Sequence, residues 1–567
     1  MQYDLVVKNG YIVDGSGGAR FPADVGVKNG KITKIGRINE RAAKTINAHG
    51  QVVSPGFVDG HTHMDAQVFW DPLGSCSCYH GVTSVIMGNC GFTLAPCAAK
   101  DADFVFRNLE RAEDLSRDAM KAGIDWKWET FPEYLDVLDQ IPKGINYGGY
   151  IGHSALRTYV MGERAFSEQA NTDELKRMQH EVQNAVRAGA IGFSTSRTFN
   201  HLTSDDRPVA SRIADWDEVS GIVNAMGELG VGIFEIAGEA PGRNPERQRE
   251  YFDRLKTLAV QSGCPVTFGM PSIRIAPDIW PAYYELGNEV AAAGGRLFVQ
   301  AHSRSISTLL SFKSHTPFDA WDVWKDVRSK PLEEQKVLLA DPSVKRKLVD
   351  IASRPYDGPK IVGAEPRPPE WDWVYLFNGI GDEELMSEVA AKRGVHPAEA
   401  MIDIALERDF DAFFRQPLAN EDQDAVLKMM KHPRSVVTFS DSGAHVAQIM
   451  DSSLQTHLLS HWVREREEFT LEQAVRMITH DTATAWGLYD RGMIREGLNA
   501  DLVIFDPDTI HQNMPELLND LPAGAQRLKQ TARGISHTIV NGEVLLQDNQ
   551  PTGNFPGHLI RGPLARQ

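Results

Sequence analysis

Along the middle of the chain, short apolar runs recur, most of them ending in a polar or charged group. They are FVDGH (57–61), VTSVIM (82–87), INYGGYI (145–151), AIGFSTS (190–196), VGIFEI (231–236), PVTFGM (265–270), RLFVQA (296–301) and SVVTFS (435–440). Continuous rather than alternating apolar runs mark strands buried on both faces, as in a parallel sheet covered by helices. Between them the period lengthens to that of amphipathic helices. The clearest are DELKRMQHEVQNAVRAG (173–189) and DWDEVSGIVNAMGELG (215–230), the second with Asp215 placed as N-cap. Eight such units predict an α/β chain built as a (β/α)8 barrel. A doubly wound open sheet is the runner-up, but no G-x-G-x-x-G follows the first strand and there is no P-loop.

The two chain ends differ from the middle. YDLVVKNGYIVDG alternates around Asn9-Gly10, ADVGVKNGKITKIG around Asn29-Gly30, and ISHTIVNGEVLLQDN around Asn541-Gly542, each pair a hairpin signal. This predicts a small β-sandwich formed by residues 1–55 and 488–567, with the barrel of 56–487 inserted between them. Inside the barrel, the stretch at about 303–434 is too long for one connection. It carries Trp321, Trp324, Trp371, Trp373 and the Pro-rich EPRPPEW (365–371), and reads as a lid or subdomain, with plain helical packing as the bland alternative.

Composition narrows the picture. The 567 residues are 42% hydrophobic and 24% charged, as expected of a globular chain. With 76 acidic and 59 basic residues the net charge is −17, which argues against nucleic-acid binding and against a polybasic membrane anchor. Five cysteines cannot form a disulfide framework in so long a chain. The start, MQYDLVV, lacks the regions of a signal peptide, so a cytoplasmic location is expected. From Pro72 to Ala99 no charged residue occurs, yet the density of Gly and Pro, with Asn89 and His80, argues for buried backbone rather than a membrane span. The expected partner is a small-molecule substrate; a homo-oligomer is compatible with the chain.

In a barrel the reacting groups come from the C-terminal ends of the strands. Those ends carry His61 and His63, Cys90, His153, Ser194 to Arg197, Glu235, Met270, His302 and Asp441 in turn. Two histidines at i and i+2 on a strand share a side and can reach one cation. Cys90 reads either as a small buried hydrophobe or as a thiolate beside a divalent cation. Asp441 could ligate a metal and carry a proton.

Together these segments resemble the amidohydrolase superfamily, specifically its D-aminoacylase branch. The resemblance rests on VVKNGYIVDGSG, VVSPGFVDGHTHMD, GVTSVIMGNCG, IGHSALR, AGAIGFSTSR, FSDSGAH and ITHDTATAWGLYDRGMIREGLNADLVIFDP. It implies metal ligation by His61, His63 and Asp441, with Asp441 also as acid/base. It implies that Cys90 replaces a carboxylated lysine, and that His153 and Arg157 line the site. The chain departs from the pattern at strands five and six. Glu235 stands where one histidine is expected and is carried as an oxygen ligand. Phe268-Gly269-Met270 supplies no ligand, so one zinc rather than two is expected. Met270 also occupies the place of a substrate-binding lysine, and Arg157, Arg197 and Arg304 are the candidate replacements. His302 reads as either a site or a structural residue.

The expected activity is metal-dependent hydrolysis of an amide, N-acyl amino acid-like or cyclic, with Asp441 and His153 as catalytic groups. The alternatives are hydrolysis of a lactone or carbon–carbon bond on the same fold, and a non-catalytic scaffold that has lost ligands.

Overall fold

A computed structural model describes residues 2–358, 361, 365, 367–448 and 451–566. The eight apolar runs form eight strands: β1 (Phe57–Asp59), β2 (Val82–Met87), β3 (Asn146–Gly152), β4 (Gly192–Ser196), β5 (Ile233–Ala237), β6 (Val266–Gly269), β7 (Leu297–Ala301) and β8 (Ser435–Val437). Each pairs in parallel with the next in sequence order. The sheet curls until its first and last strands meet. Beyond their ends Thr62 bridges Ser442 in parallel, and the His63 N–H donates to Ser442 O at 2.8 Å. That closure excludes the open sheet.

Helices α1 (His153–Met161), α2 (Thr172–Ala188), α3 (Trp216–Gly227), α4 (Pro245–Ser262) and α5 (Trp280–Ala292) lie between the strands. Asp215 caps α3 as its side chain requires, accepting from the Glu218 N–H at 2.8 Å. On α2, Met178, Val182, Ala185 and Val186 are buried, spaced so that one stripe faces the sheet. All of β2 and β3 is buried, which accounts for their unbroken apolar character.

The chain ends meet in a nine-stranded mixed sheet containing Tyr3–Ile12 and Val52–Pro55 from one end and Leu502–Phe505 and Ile535–Val540 from the other. Leu5, Val25, Ile46, Ile504 and Ile539 share its core. Two of the three Asn-Gly pairs are hairpin turns: Asn29-Gly30 and Asn541-Gly542 join adjacent antiparallel strands, with φ of 51° and 71°, and 47° and 82°. Asn9-Gly10 is not a turn. It lies inside Tyr3–Ile12 as a bulge, with Asn9 left-handed at φ 62° and the register shifting between Val7 and Gly10. A side chain on Gly10 would meet Val53 Cγ2 at 2.5 Å, so packing against the neighbouring strand selects this glycine.

Within 303–434 the chain forms its own antiparallel sheet, from Ile306–Leu310, Phe413–Ala419, Tyr375–Gly379 and Asp382–Leu385. A separate core supports it, with Phe318 stacked on Trp324 at 4.1 Å. Pro366 of the EPRPPEW segment lies outside the described residues. The uncharged stretch holds β2 and short helical turns; among the described residues no helix is long and apolar enough to cross a membrane.

Candidate metal centre

The seam between β1 and β8 creates the site. His61 and His63 leave β1 on the same side, and Asp441 reaches over from the end of β8. The Asp441 N–H donates to His61 O at 3.2 Å. Gly443, at φ 97°, lets the two backbones approach; a Cβ there would sit 2.5 Å from His63 O. Cys90 enters from the turn after β2. Cys90, Phe439, Asp441 and His445 all have positive φ (56°, 83°, 54° and 48°). Each such non-glycine residue costs on the order of 1–3 kcal/mol, and residues held this way cluster at functional sites.

One ligand atom from each of His61, His63 and Cys90 lies within 4.8 Å of the other two. Asp441 Oδ1 is 3.3 Å from Nε2 of both histidines, and Cys90 Sγ is 3.6 Å from His61 Nε2. His61 Nδ1–H donates to Gln300 Oε1 at 2.6 Å, and Gln300 in turn donates to Thr267 Oγ1 at 3.0 Å. This fixes the tautomer of His61 and leaves Nε2 as the open lone pair. His63 Nδ1 and Asp441 Oδ1 are buried without hydrogen-bond partners. Two imidazoles and a thiol converging beside a carboxylate suit a divalent transition metal.

The electrostatics agree with that fit. Burial lowers the basicity of His61, but the adjacent Asp441 carboxylate, then Glu235, outweigh it and raise its pKa. Burial dominates at His63, whose pKa falls. Burial pushes Asp441 upward, and the two imidazoles reverse this, holding it well below the usual carboxylate range. Cys90 is pushed well up by burial and by Glu235, Glu113 and Asp441. A cation would relieve that excess of negative charge.

Glu235, expected as an oxygen ligand, stands behind the cluster. Its Oε2 accepts from the Cys90 N–H at 2.7 Å, which holds the cysteine turn, while Oε1 is 4.0 Å from His61 Nδ1. Burial raises its pKa to about 7. The end of β6 is filled: the Phe439 ring packs edge-on to His61 at 4.5 Å and lies where a Cβ on Gly269 would meet it at 2.7 Å.

His153 and Arg157 do not line the site. His153 Nε2–H donates to Glu218 Oε1 at 2.8 Å, and its Nδ1 accepts from Thr195 Oγ1 at 2.8 Å, so both ring nitrogens are engaged. Arg157 binds the Glu218 carboxylate and Glu168 O. The physical reason is the start of α1 immediately after β3, which turns both side chains toward α3 rather than into the barrel mouth. Arg197 is held by Glu239 at 3.2 Å and by Ala214 O. Arg304 donates to Ser453 Oγ, and the Arg304 N–H donates to His302 Nδ1 at 3.1 Å. None of these five lines the cleft above the cluster.

Three residues that strand-end reading passes over do line it. Glu113, in the connection between β2 and β3, has Oε2 3.5 Å from His63 Nε2, with His201 and His445 each 3.9 Å from its carboxylate. Burial and the neighbouring carboxylates push Glu113 well up, and burial lowers His201 to about 3. The FSDSGAH segment contains His445; Glu113 and His201 had no signal beyond their residue type. The cleft measures about 950 Å³ and is walled in part by the 303–434 stretch through Ile306, Tyr356, Arg367 and Leu418.

A sequence profile of the Amidohydrolase family matches residues 44–546. The chain belongs to that family. It is 27% identical to a D-aminoacylase of Alcaligenes xylosoxydans xylosoxydans, over 98% of this chain and 97% of that one. It is 25% identical to an N-acyl-D-glutamate deacylase of the same organism, over 98% and 96%. Among solved structures, the zinc- and phosphonate-bound N-acyl-D-glutamate deacylase of Bordetella bronchiseptica superposes with a TM-score of 0.66 at 22% identity, covering 99% of this chain and 100% of that one. This amidohydrolase therefore shares the fold of those deacylases and presents three residues, His61, His63 and Cys90, that could hold a metal ion at the mouth of its barrel.

Proposed function

We propose that this amidohydrolase is a metal-dependent hydrolase cleaving an amide bond, N-acyl amino acid-like or cyclic, with one zinc held by His61, His63, Cys90 and Asp441. The observation that carries the reading is the convergence of three ligand atoms within 4.8 Å beneath an Asp441 carboxylate that touches both imidazoles. The Bordetella bronchiseptica relative is a zinc complex, which supports zinc here. The Phe439 ring over Gly269 supports a single metal.

Zinc at this site would supply Lewis acidity, making water nucleophilic near neutral pH and polarising the amide carbonyl. Asp441, ionised and open to the cleft, takes the proton of the attacking water and returns it to the leaving nitrogen. Gln300 keeps His61 in the ligating tautomer, and Glu235 anchors the turn that presents Cys90. Glu113, whose pKa burial and the neighbouring carboxylates push well up, and His201 line the cleft above the ligands.

The retained ligand set favours an enzyme over a scaffold. Elemental analysis of the purified protein is expected to find about one zinc per chain. Asp441→Asn should retain the metal on the other ligands and lose about two to four orders of magnitude in kcat. A metal-free protein, or an active Asp441→Asn, defeats the reading.

A further inference from the structure

We propose that the cleft admits a neutral amide carrying a bulky apolar group, an aromatic or long alkyl chain, and disfavours a free carboxylate beside the scissile bond. This rests on the hydrolase reading above and narrows its substrate.

Shape comes first. The space above the metal centre, about 950 Å³, lies at the upper end of the range of about 300–1,000 Å³ for small-molecule sites. Met270, Pro271, Ile273 and Ile279 line it, together with Ile306 and Leu418 from the 303–434 stretch. Ile273 is 43% exposed and Ile275 81% exposed, both at this cleft. Aliphatic side chains gathered at the mouth of a polar site, and continuous with it, mark an apolar ligand surface.

Charge comes second. Arg367 is the one Lys or Arg among the described residues lining the cleft, and Glu239, which also lines it, is already bound by Arg197 and Arg254. Arg367 sits in the field of Glu370 and Glu421, beside Arg274, which binds both of those carboxylates. That group is balanced without a ligand. The arginines that could have replaced a carboxylate-binding lysine are committed elsewhere: Arg157 to Glu218, Arg197 to Glu239 and Arg304 to Ser453. A substrate carboxylate would lose its water in a cleft whose described residues leave no Lys or Arg uncommitted to receive it, an unfavourable exchange. A carboxamide keeps its hydrogen bonds and carries no charge.

The test compares N-acetyl- and N-decanoyl-D-leucine with the corresponding leucinamides, on the zinc-loaded protein. Expected are kcat/KM values at least about tenfold higher for amide over acid and for decanoyl over acetyl. A buried methylene is worth about fourfold, so two suffice for the second ratio. Ile275→Asp and, separately, Ile273→Asp should narrow the decanoyl-to-acetyl ratio. Calorimetry of N-decanoyl-D-leucinamide and its acid on Asp441→Asn gives the same preference without turnover. Faster cleavage and tighter binding of the free acids overturn the proposal while leaving the hydrolase reading intact. Tighter binding of the decanoyl amide with none of the four cleaved overturns the hydrolase reading and leaves the cleft's selectivity standing.

Discussion

Two buried clusters in this barrel use the same residue types to opposite ends. At the β3–α1 junction, His153, Arg157 and Glu218 bind one another: both imidazole nitrogens are bonded and the carboxylate meets a permanent cation, with Arg157 Nε alone of the three side chains' polar atoms lacking a partner. At the β1–β8 seam, His61, His63, Cys90 and Asp441 converge and leave His63 Nδ1 and Asp441 Oδ1 without hydrogen-bond partners. A cluster whose imidazole and carboxylate are paired internally has no ligand atom to offer and serves the fold. One whose ligand atoms converge within 4.8 Å is arranged to hold a ligand, which would offset the cost of leaving buried polar atoms without partners. Residue type at a strand end is therefore weaker evidence of function than the number of lone pairs left open.

The contrast can be broken or sharpened experimentally. Its largest consequence is the loss of two to four orders of magnitude in kcat for Asp441→Asn, read by steady-state kinetics alongside metal content. Arg157→Leu should instead destabilise the fold by about 3–5 kcal/mol, since it leaves Glu218 buried without its cation. Denaturant melts check this, and kcat/KM of the folded variant should stay near wild type. An activity loss matching that of Asp441→Asn would erase the distinction between the clusters. Gln300→Leu frees the His61 ring and should weaken metal binding about tenfold to a hundredfold, measured by competition with a chelator.

The smallest effect is one of pH. Burial raises the Glu218 pKa, but His153 and Arg157 outweigh it and bring it from 4.5 to about 2. Its folded pKa is thus depressed, so the stabilisation is full above about pH 4.5 and fades as pH falls toward 2. The difference in melting temperature between wild type and Arg157→Leu should accordingly shrink between pH 6 and pH 3. A constant difference would mean that the pair contributes little through charge.

Much of the barrel is legible before any coordinates. The eight apolar runs become its eight strands because parallel strands covered by helices must be apolar throughout. His61, His63 and Cys90 are legible for a related reason: polar groups at the ends of such runs have few places to point except the barrel mouth. Asn9-Gly10 shows the limit of local signals. The same dipeptide that turns the chain at Asn29 and Asn541 bulges a continuous strand at Asn9, where the adjacent Val53 decides the outcome. Glu113 resembles the acidic face of an exposed helix, RAEDLSRD, yet is 2% exposed against His63.

The sequence by itself determined the strand number, the family and the candidate ligands His61, His63 and Cys90, because periodicity and strand-end chemistry are local properties of the chain. Tertiary structure alone decided which histidines and arginines are satisfied. His153 with Glu218, Gln300 with His61 and Glu113 with His63 are separated by 65, 239 and 50 residues and meet only when the sheet closes. Whether a buried polar atom is open or saturated depends on partners brought from across the fold, and no local pattern encodes that.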